Sequence, residues 1–368
     1  MSTRNDCLLR VLILAAACAG SAALADDPAE IHVTDGLRGA LLSIDDATEK
    51  RIQTLKAGGT TGIVLSLPEA AGNVTPAEQK AVERIAAAGL ELYYWIEVAR
   101  CPELANAQPK WMASLQTHEE WRRLFPDAPA AGDDEVIKVY PWVPILSRET
   151  FDGQLQRVTA LLSKRTDAKG VFLNDLQGAP SACGCGHPLC RWTSDYGRKR
   201  TTTALGPDAA ALFVKAVQDS LPECAVIPVW ATECEEHDGA ADGLCAGVGC
   251  FNGICWKAWT EQLVPVARVS RRVGVLAAYR EFQRDSKVYG GKAEWIRQAV
   301  EFFETMPRRE GARGVEAARL VTVVQGWGVD DDDIAAQIAV ATDSGVSGFV
   351  VAYSRIEQSW EPRLLKWR

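Results

Sequence analysis

Eight short apolar runs, each separated from the next by a stretch with helical spacing, constrain this chain more than any other feature. The runs cover 39–44, 63–67, 90–98, 171–173, 225–230, 273–279, 320–324 and 348–353. Apolar and polar residues do not alternate within them, so each strand is expected to be covered on both faces, which is the mark of a parallel sheet. Between them, Ile52 with Leu55, Val82 with Ile85, Leu155 with Val158, Leu161 and Leu162, and Leu212 with Phe213, Ala216 and Val217 recur at helical spacing. Seven helices are well marked, and a short eighth fits 362–367. The count predicts a (β/α)8 TIM barrel with long cysteine-rich loops on its C-terminal face; a doubly wound open sheet is the runner-up.

Local signals punctuate the pattern. Gly58 and Gly59 end the first helix, and the acids Asp45 and Asp46 stand before it as candidate caps. Thr75, Pro76, Ala77 and Glu78 read as a capping box with proline at the first helical position. Gly206 and Pro207 open a later helix, Pro265 is expected to interrupt or end the one that starts near Cys255, and Asp330 to Asp333 put four acids where a helix macrodipole favours them.

The first 25 residues are set apart from the fold. The chain opens with Arg4 and Arg10 and continues through the apolar run 8–17, and Ala23, Leu24 and Ala25 precede Asp26 and Asp27, the charged region, core and AxA site of a secretory leader. A lipoprotein leader ending at Cys18 is the rival reading. The apolar run is shorter than the ~20 residues a bilayer needs, so no membrane span is expected. Residues 26–368 are expected to form a single barrel domain, secreted or periplasmic, with a lid-like insertion over 99–146 that carries Trp111, Trp121, Tyr140 and Trp142.

The formal charge of −8 becomes −9 once Arg4, Arg10 and Asp6 leave. That acidity argues against nucleic acid and anionic membrane as partners and leaves a neutral or cationic small molecule open as the ligand. A barrel places its site at the carboxyl ends of its strands. Those ends carry Asp45 and Asp46, Glu69, Glu97 with Arg100, Asn174 with Asp175, Glu233 with Glu235, Arg280 with Glu281, Gln325 with Trp327, and Tyr353. From this ring Asp175, Glu233 and Glu281 are taken as the catalytic candidates. Asp45, Asn174, Arg280, Gln325, Trp327 and Tyr353 are taken as substrate-binding, with the aromatics suited to stack on a flat apolar ligand face.

Eleven cysteines become nine when Cys7 and Cys18 leave with the leader. Eight of the nine, all but Cys101, fall between 183 and 255 and concentrate in two loops, 179–205 and 233–255. Export makes disulfides the expected pairing, with Cys101 as the odd thiol. Cys183, Cys185, His187 and Cys190 admit an alternative, since three thiolates and an imidazole complete a tetrahedral zinc site. Cys234, Cys245, Cys250 and Cys255 would then form a second, four-sulfur site. His32, His118 and His237 have no partner spacing. Asn73, Val74 and Thr75 match a glycosylation acceptor that overlaps a helix cap.

In element order, in its tryptophan content and in the FLND stretch 172–175, the chain resembles the secreted barrel glycoside hydrolases broadly, without a specific family. The resemblance implies a carboxylate at the end of strand four, as in the α-galactosidase-like group, a role that Asp175 matches. Glu233 or Glu281 matches the second carboxylate. One departure stands out. The largest barrel clan carries Asn-Glu on strand four and Glu on strand seven, whereas this chain has Asn174 before Asp175 and has Gln325 on strand seven. The expected function is therefore hydrolysis of a carbohydrate by carboxylate acid/base chemistry, with no cofactor. A non-catalytic barrel that binds a glycan or partner is one alternative, and a zinc-binding protein using the Cys/His loop is the other.

Overall fold

The structure is a computed structural model that describes residues 36–67, 72–99, 101–108, 111, 143–145, 147–176, 205, 208–231, 256–278, 291–309, 311–354 and 356. All of these lie in the compact unit His32–Arg368. The expected leader, most of the lid-like insertion, both cysteine-rich loops and the short helix over 362–367 fall outside the described residues.

Eight parallel strands close into a barrel in sequence order: β1 (Leu37–Ser43), β2 (Gly62–Ser66), β3 (Glu91–Glu97), β4 (Gly170–Asn174), β5 (Ala225–Ala231), β6 (Val273–Leu276), β7 (Leu320–Gln325) and β8 (Gly348–Ala352). The last strand pairs with the first, from Leu37 opposite Gly348 to Leu41 opposite Ala352, so the fold is the closed (β/α)8 barrel and not the open sheet. Helices α1 (Glu49–Ala57), α2 (Pro76–Ala87), α3 (Pro102–Ala107), α4 (Arg148–Leu162), α5 (Ala209–Ser220), α6 (Trp256–Val269), α7 (Glu294–Arg309) and α8 (Asp331–Asp343) lie between the strands in the chain.

Strand parity divides the core in two. Leu41, Val64, Tyr93, Trp95, Phe172, Ile227, Val229, Leu276, Val321, Val323 and Val350 fill the barrel interior. Their sequence neighbours, among them Leu42, Leu65, Tyr94, Ile96, Leu173 and Trp230, pack against the helices. This two-sided burial explains why the strands read as continuous apolar runs. Phe172 stacks on Trp95 at 5.9 Å between ring centroids and meets Tyr93 edge-on at 5.9 Å. Glycines flank the Tyr93 ring on both neighbouring strands: a Cβ at Gly62 would come within 3.1 Å of it, and one at Gly170 within 3.0 Å. Burial pushes the Tyr93 phenol well above its usual range, and its hydroxyl donates to Glu91 Oε2 at 2.8 Å.

Several local expectations are corrected. Thr48, and neither Asp45 nor Asp46, caps α1 by accepting from the Arg51 N–H. Thr75 caps α2 as expected, but the capping box is not completed. Glu78 turns inward and forms a fully buried two-point ion pair with Arg165, at 2.7 and 2.8 Å. Arg165 also donates to Leu161 O at 2.6 Å, and its guanidinium lies 5.7 Å from the Tyr94 ring centroid. A charged pair with no water needs such additional partners, and these bind α2, β3 and the segment after α4 into one unit.

Pro265 lies inside α6 and does not end it. Leu263, Val266 and Ala267 are buried on either side, and burial of that face outweighs the ~3 kcal/mol that an interior proline costs. The insertion after β3 contains a helical turn, α3, that composition did not signal. Of the apolar residues that marked α5, Leu212 is 48% exposed, while Phe213 and Val217 are buried against the barrel.

Candidate functional site

Glu97 ends β3 on the interior side, because it follows Tyr93 and Trp95 at strand spacing. Its ladder partner on β4 is Asn174, which follows Phe172 on the same side. The two side chains meet: Asn174 Nδ2 donates to Glu97 Oε2 at 2.8 Å, and Trp95 Nε1 donates to Glu97 Oε1 at 2.7 Å. Each carboxylate oxygen is thus fixed by one donor, leaving about half of its lone-pair sites for a further partner.

The backbone beneath this carboxylate is held from outside the barrel. Arg157 on α4 donates to the carbonyl oxygens of Glu97 and Val98, at 2.7 and 3.0 Å, and is itself oriented by Gln154 Oε1 at 3.0 Å. Gln154 in turn donates to Val143 O at 3.0 Å, and the Val143 N–H donates to Ala99 O at 2.7 Å. The first residues of the insertion are therefore tied to α4 before the chain leaves the described region.

Asp175 follows Asn174 with φ +58°, a left-handed conformation that asparagine and aspartate tolerate better than other non-glycine residues. It is buried, and its carbonyl oxygen accepts from the Ala99 N–H at 3.3 Å. The turn in the backbone at this residue ends strand four at the mouth of the barrel. Non-glycine residues in this conformation concentrate at functional sites.

Across the ring, Gln325 ends β7 on the interior side, after Val321 and Val323. Gln337 of α8 holds its backbone from the helix layer, accepting from its N–H at 2.9 Å and donating to its carbonyl at 2.7 Å. The Gln325 side chain is buried; Nε2 donates to Trp327 O at 3.0 Å, and Oε1 has no hydrogen-bond partner among the described residues. Trp327 is half-buried against the interior cluster, next to Gly328 at φ +65°.

The other expected site residues divide. Asp45 is exposed, whereas Asp46 Oδ2 accepts from Ser43 Oγ at 2.6 Å and from Ser354 Oγ at 3.2 Å, linking the ends of β1 and β8. Tyr353 packs with the helix-side cluster, with the Arg51 guanidinium 4.3 Å from its ring centroid, so it turns away from the interior. Parity accounts for this, since Tyr353 follows Ala352, which faces inward. Asn174, Asp175, Gln325 and Trp327 reach the carboxyl end of the barrel as expected. Glu233, Glu281, Arg280, Cys183, Cys185, His187 and Cys190 lie outside the described residues.

Glu97 carries more of the site than the sequence assigned to it. Its signal was available in the two-residue spacing Tyr93–Trp95–Glu97, which puts it on the same face as two aromatics. Among the described residues no group of three His, Cys, Asp or Glu converges on one point, and no helix is long and apolar enough to cross a membrane. Cys101 and Cys224 are free thiols. Cys101 is buried, and Cys224, grouped by position with the stapled region, is half-buried.

No known protein family's profile matches the chain, and no curated protein matches it. Among solved structures the chain is similar in shape to glycoside hydrolases. The β-galactosidase of the psychrophilic Marinomonas ef1 is 10% identical, with a TM-score of 0.48 over 87% of this chain and 54% of that one. The α-L-fucosidase isoenzyme 2 of Paenibacillus thiaminolyticus is 12% identical, with a TM-score of 0.45 over 87% and 46%. The hyperthermostable endo-1,4-β-D-mannanase of Thermotoga petrophila is 10% identical, with a TM-score of 0.45 over 86% and 88%. The chain spans about half the length of the first two. At such identities the likeness is one of fold.

Proposed function

We propose that the chain is an exported hydrolase that cleaves a glycosidic bond with carboxylates at the mouth of its barrel. The observation that carries this reading is the Glu97 carboxylate, fixed by Trp95 and Asn174 one strand away from Asp175. Glycoside hydrolysis needs two carboxyl groups, one to protonate the leaving oxygen and one to attack carbon or activate water. In this reading Asp175 is the strand-four carboxylate and Glu97 its partner; Glu233 or Glu281 is the alternative for that second position, on sequence grounds alone. Half-buried Trp327 offers a ring against which a sugar can stack. Export rests on the leader, and N-terminal sequencing of the mature protein should begin at Asp26.

The test is a panel of aryl glycosides with the Asp175→Asn and Glu97→Gln variants. Each variant should keep the fold and lose about 10²- to 10⁴-fold in turnover. Unchanged turnover in Asp175→Asn removes that residue from the mechanism.

One observation favours zinc binding as a second reading. With Cys101 and Cys224 free, seven of the nine mature cysteines remain for the loops, an odd number that disulfides within the chain cannot consume. A set of Cys183, Cys185, His187 and Cys190 with a second set of Cys234, Cys245, Cys250 and Cys255 would use all seven. An oxidising compartment weighs against it. Stoichiometric zinc in the purified mature protein would establish it, and its absence would return these loops to disulfide bonding.

A further inference from the structure

The mouth of the barrel presents a second acceptor, and it is less satisfied than the first. Gln325 Oε1 is a buried carbonyl oxygen with no partner among the described residues, on a side chain 3% exposed. The assignment of its amide atoms is fixed chemically. The other end of the amide lies 3.0 Å from Trp327 O, and two carbonyl oxygens would repel there, so nitrogen faces Trp327 and oxygen is the atom left over. A buried acceptor without a donor costs about 1–3 kcal/mol, so its persistence calls for an occupant.

Its position says which kind of occupant. In an eight-stranded ring, β7 and β3 are four strands apart in either direction, so Gln325 and Glu97 stand on opposite walls. The interior of such a barrel is only wide enough for side chains to fill it, which brings opposite walls within reach of one small ring. Both walls end in acceptors: a neutral amide oxygen on β7, and a carboxylate on β3 with lone pairs to spare. Small residues flank Gln325 on the neighbouring strands, because Ala278 after β6 and Ala352 on β8 face the interior beside it. A ligand that matches this carries donors on two edges and a body flat enough to pass Trp327.

We propose that Gln325 is a substrate-positioning residue, its Oε1 accepting from a hydroxyl of a neutral sugar ring that spans the mouth from β7 to the Glu97–Asn174 pair at the ends of β3 and β4. The inference rests on the carbohydrate reading and extends it to one atom and one orientation of the ring. A neutral amide favours a hydroxyl donor over an ammonium, which would be desolvated at Gln325 without a counter-charge. A site built to accept from a hydroxyl rejects the analogue that lacks it, because the protein's acceptor is then left unpaired.

The test is isothermal titration of the mature protein with D-glucose, D-galactose, D-mannose, L-fucose and N-acetyl-D-glucosamine, followed by the monodeoxy analogues of whichever sugar binds. Wild type should lose about 10- to 100-fold in affinity for one particular monodeoxy analogue. Gln325→Met should weaken the parent sugar by a similar factor and no longer distinguish it from that analogue. Gln325→Glu, assayed at a pH low enough to protonate the buried carboxyl, keeps a donor for Trp327 O and an acceptor of the same length, and should retain the preference. A Gln325→Met protein with wild-type affinity and discrimination overturns the proposal while the bound sugar upholds the carbohydrate reading. Absence of binding to all five sugars overturns that reading and the proposal with it. Should Gln325→Met fail to fold, the decision passes to wild type and Gln325→Glu: dependence on one hydroxyl in both supports the proposal, and its absence in either overturns it.

Discussion

The Asn174 amide donates to the Glu97 carboxylate at 2.8 Å, joining the last residues of two adjacent strands that face each other in the ladder. Hydrogen bonds to a charged group are worth about 1.5–3 kcal/mol, so losing this one should matter if Glu97 acts in the reaction. Asn174→Ala is expected to lower kcat/KM on a responsive glycoside roughly 10- to 100-fold while barely moving the thermal midpoint. Steady-state kinetics beside a melting curve decides it. A large loss of stability with normal kinetics would make the contact structural.

The buried pair of Glu78 and Arg165 packs beside Tyr94 on the helix side of β3 and predicts the opposite profile. Glu78→Gln or Arg165→Met should each cost about 3–5 kcal/mol, because the partner is left charged without water. The double variant Glu78→Leu with Arg165→Met should recover much of that loss. Urea unfolding of the four proteins measures it, and equal losses in the single and double variants would mean that packing and not charge is at stake.

Cys224 makes stability depend on alkaline pH. Burial pushes its thiol from 9.0 up to about 11, so between those values the unfolded chain has released a proton that the folded chain still holds. The folded state binds more protons there, and stability falls as pH rises from about 9 to about 11. Cys224→Ala should flatten that part of the stability curve. The same shift predicts slow alkylation of Cys224 near pH 8, read by mass spectrometry of iodoacetamide-treated protein.

Thiol counting on unfolded, unreduced mature protein has a parity to satisfy. Cys101 and Cys224 contribute two free thiols, and seven further cysteines cannot all pair with one another, so at least three thiols are expected per chain. Nine thiols together with zinc would point to the metal sets. A count of one would place Cys101 or Cys224 in a disulfide.

The barrel was legible because its strands are covered on both faces and its helices carry one apolar stripe, two patterns that depend only on local spacing. Thr48 and Glu78 were harder to read. Thr48 stands two positions beyond a pair of acids that also make good caps, and Glu78 satisfies a cap motif while its side chain is claimed by Arg165, 87 residues away. Asp175, Asn174, Gln325 and Trp327 could be placed at the mouth because a strand end can be found in the sequence. That Tyr353 faces the helices follows from strand parity once Ala352 is fixed. Glu97 needed its cross-strand partner, and register between strands whose paired residues stand 77 positions apart is not a local property.

Closure between β8 and β1 bears on how this chain is made. The carbonyl of Leu41 accepts from both Tyr353 and Ser354, and Ser354 Oγ accepts from the Ser43 N–H, so the first strand waits for residues more than 300 positions later. During synthesis, seven strands can assemble while β1 and β7 still expose unpaired backbone at either margin of the sheet. Such margins pair readily with other chains, and long-range pairings form slowly. The yield of soluble protein should therefore depend on what shields those two margins until the ribosome has passed Ser354: a slower rate of translation or a chaperone bound to the nascent chain should raise it, and truncation before β8 should leave the product aggregated.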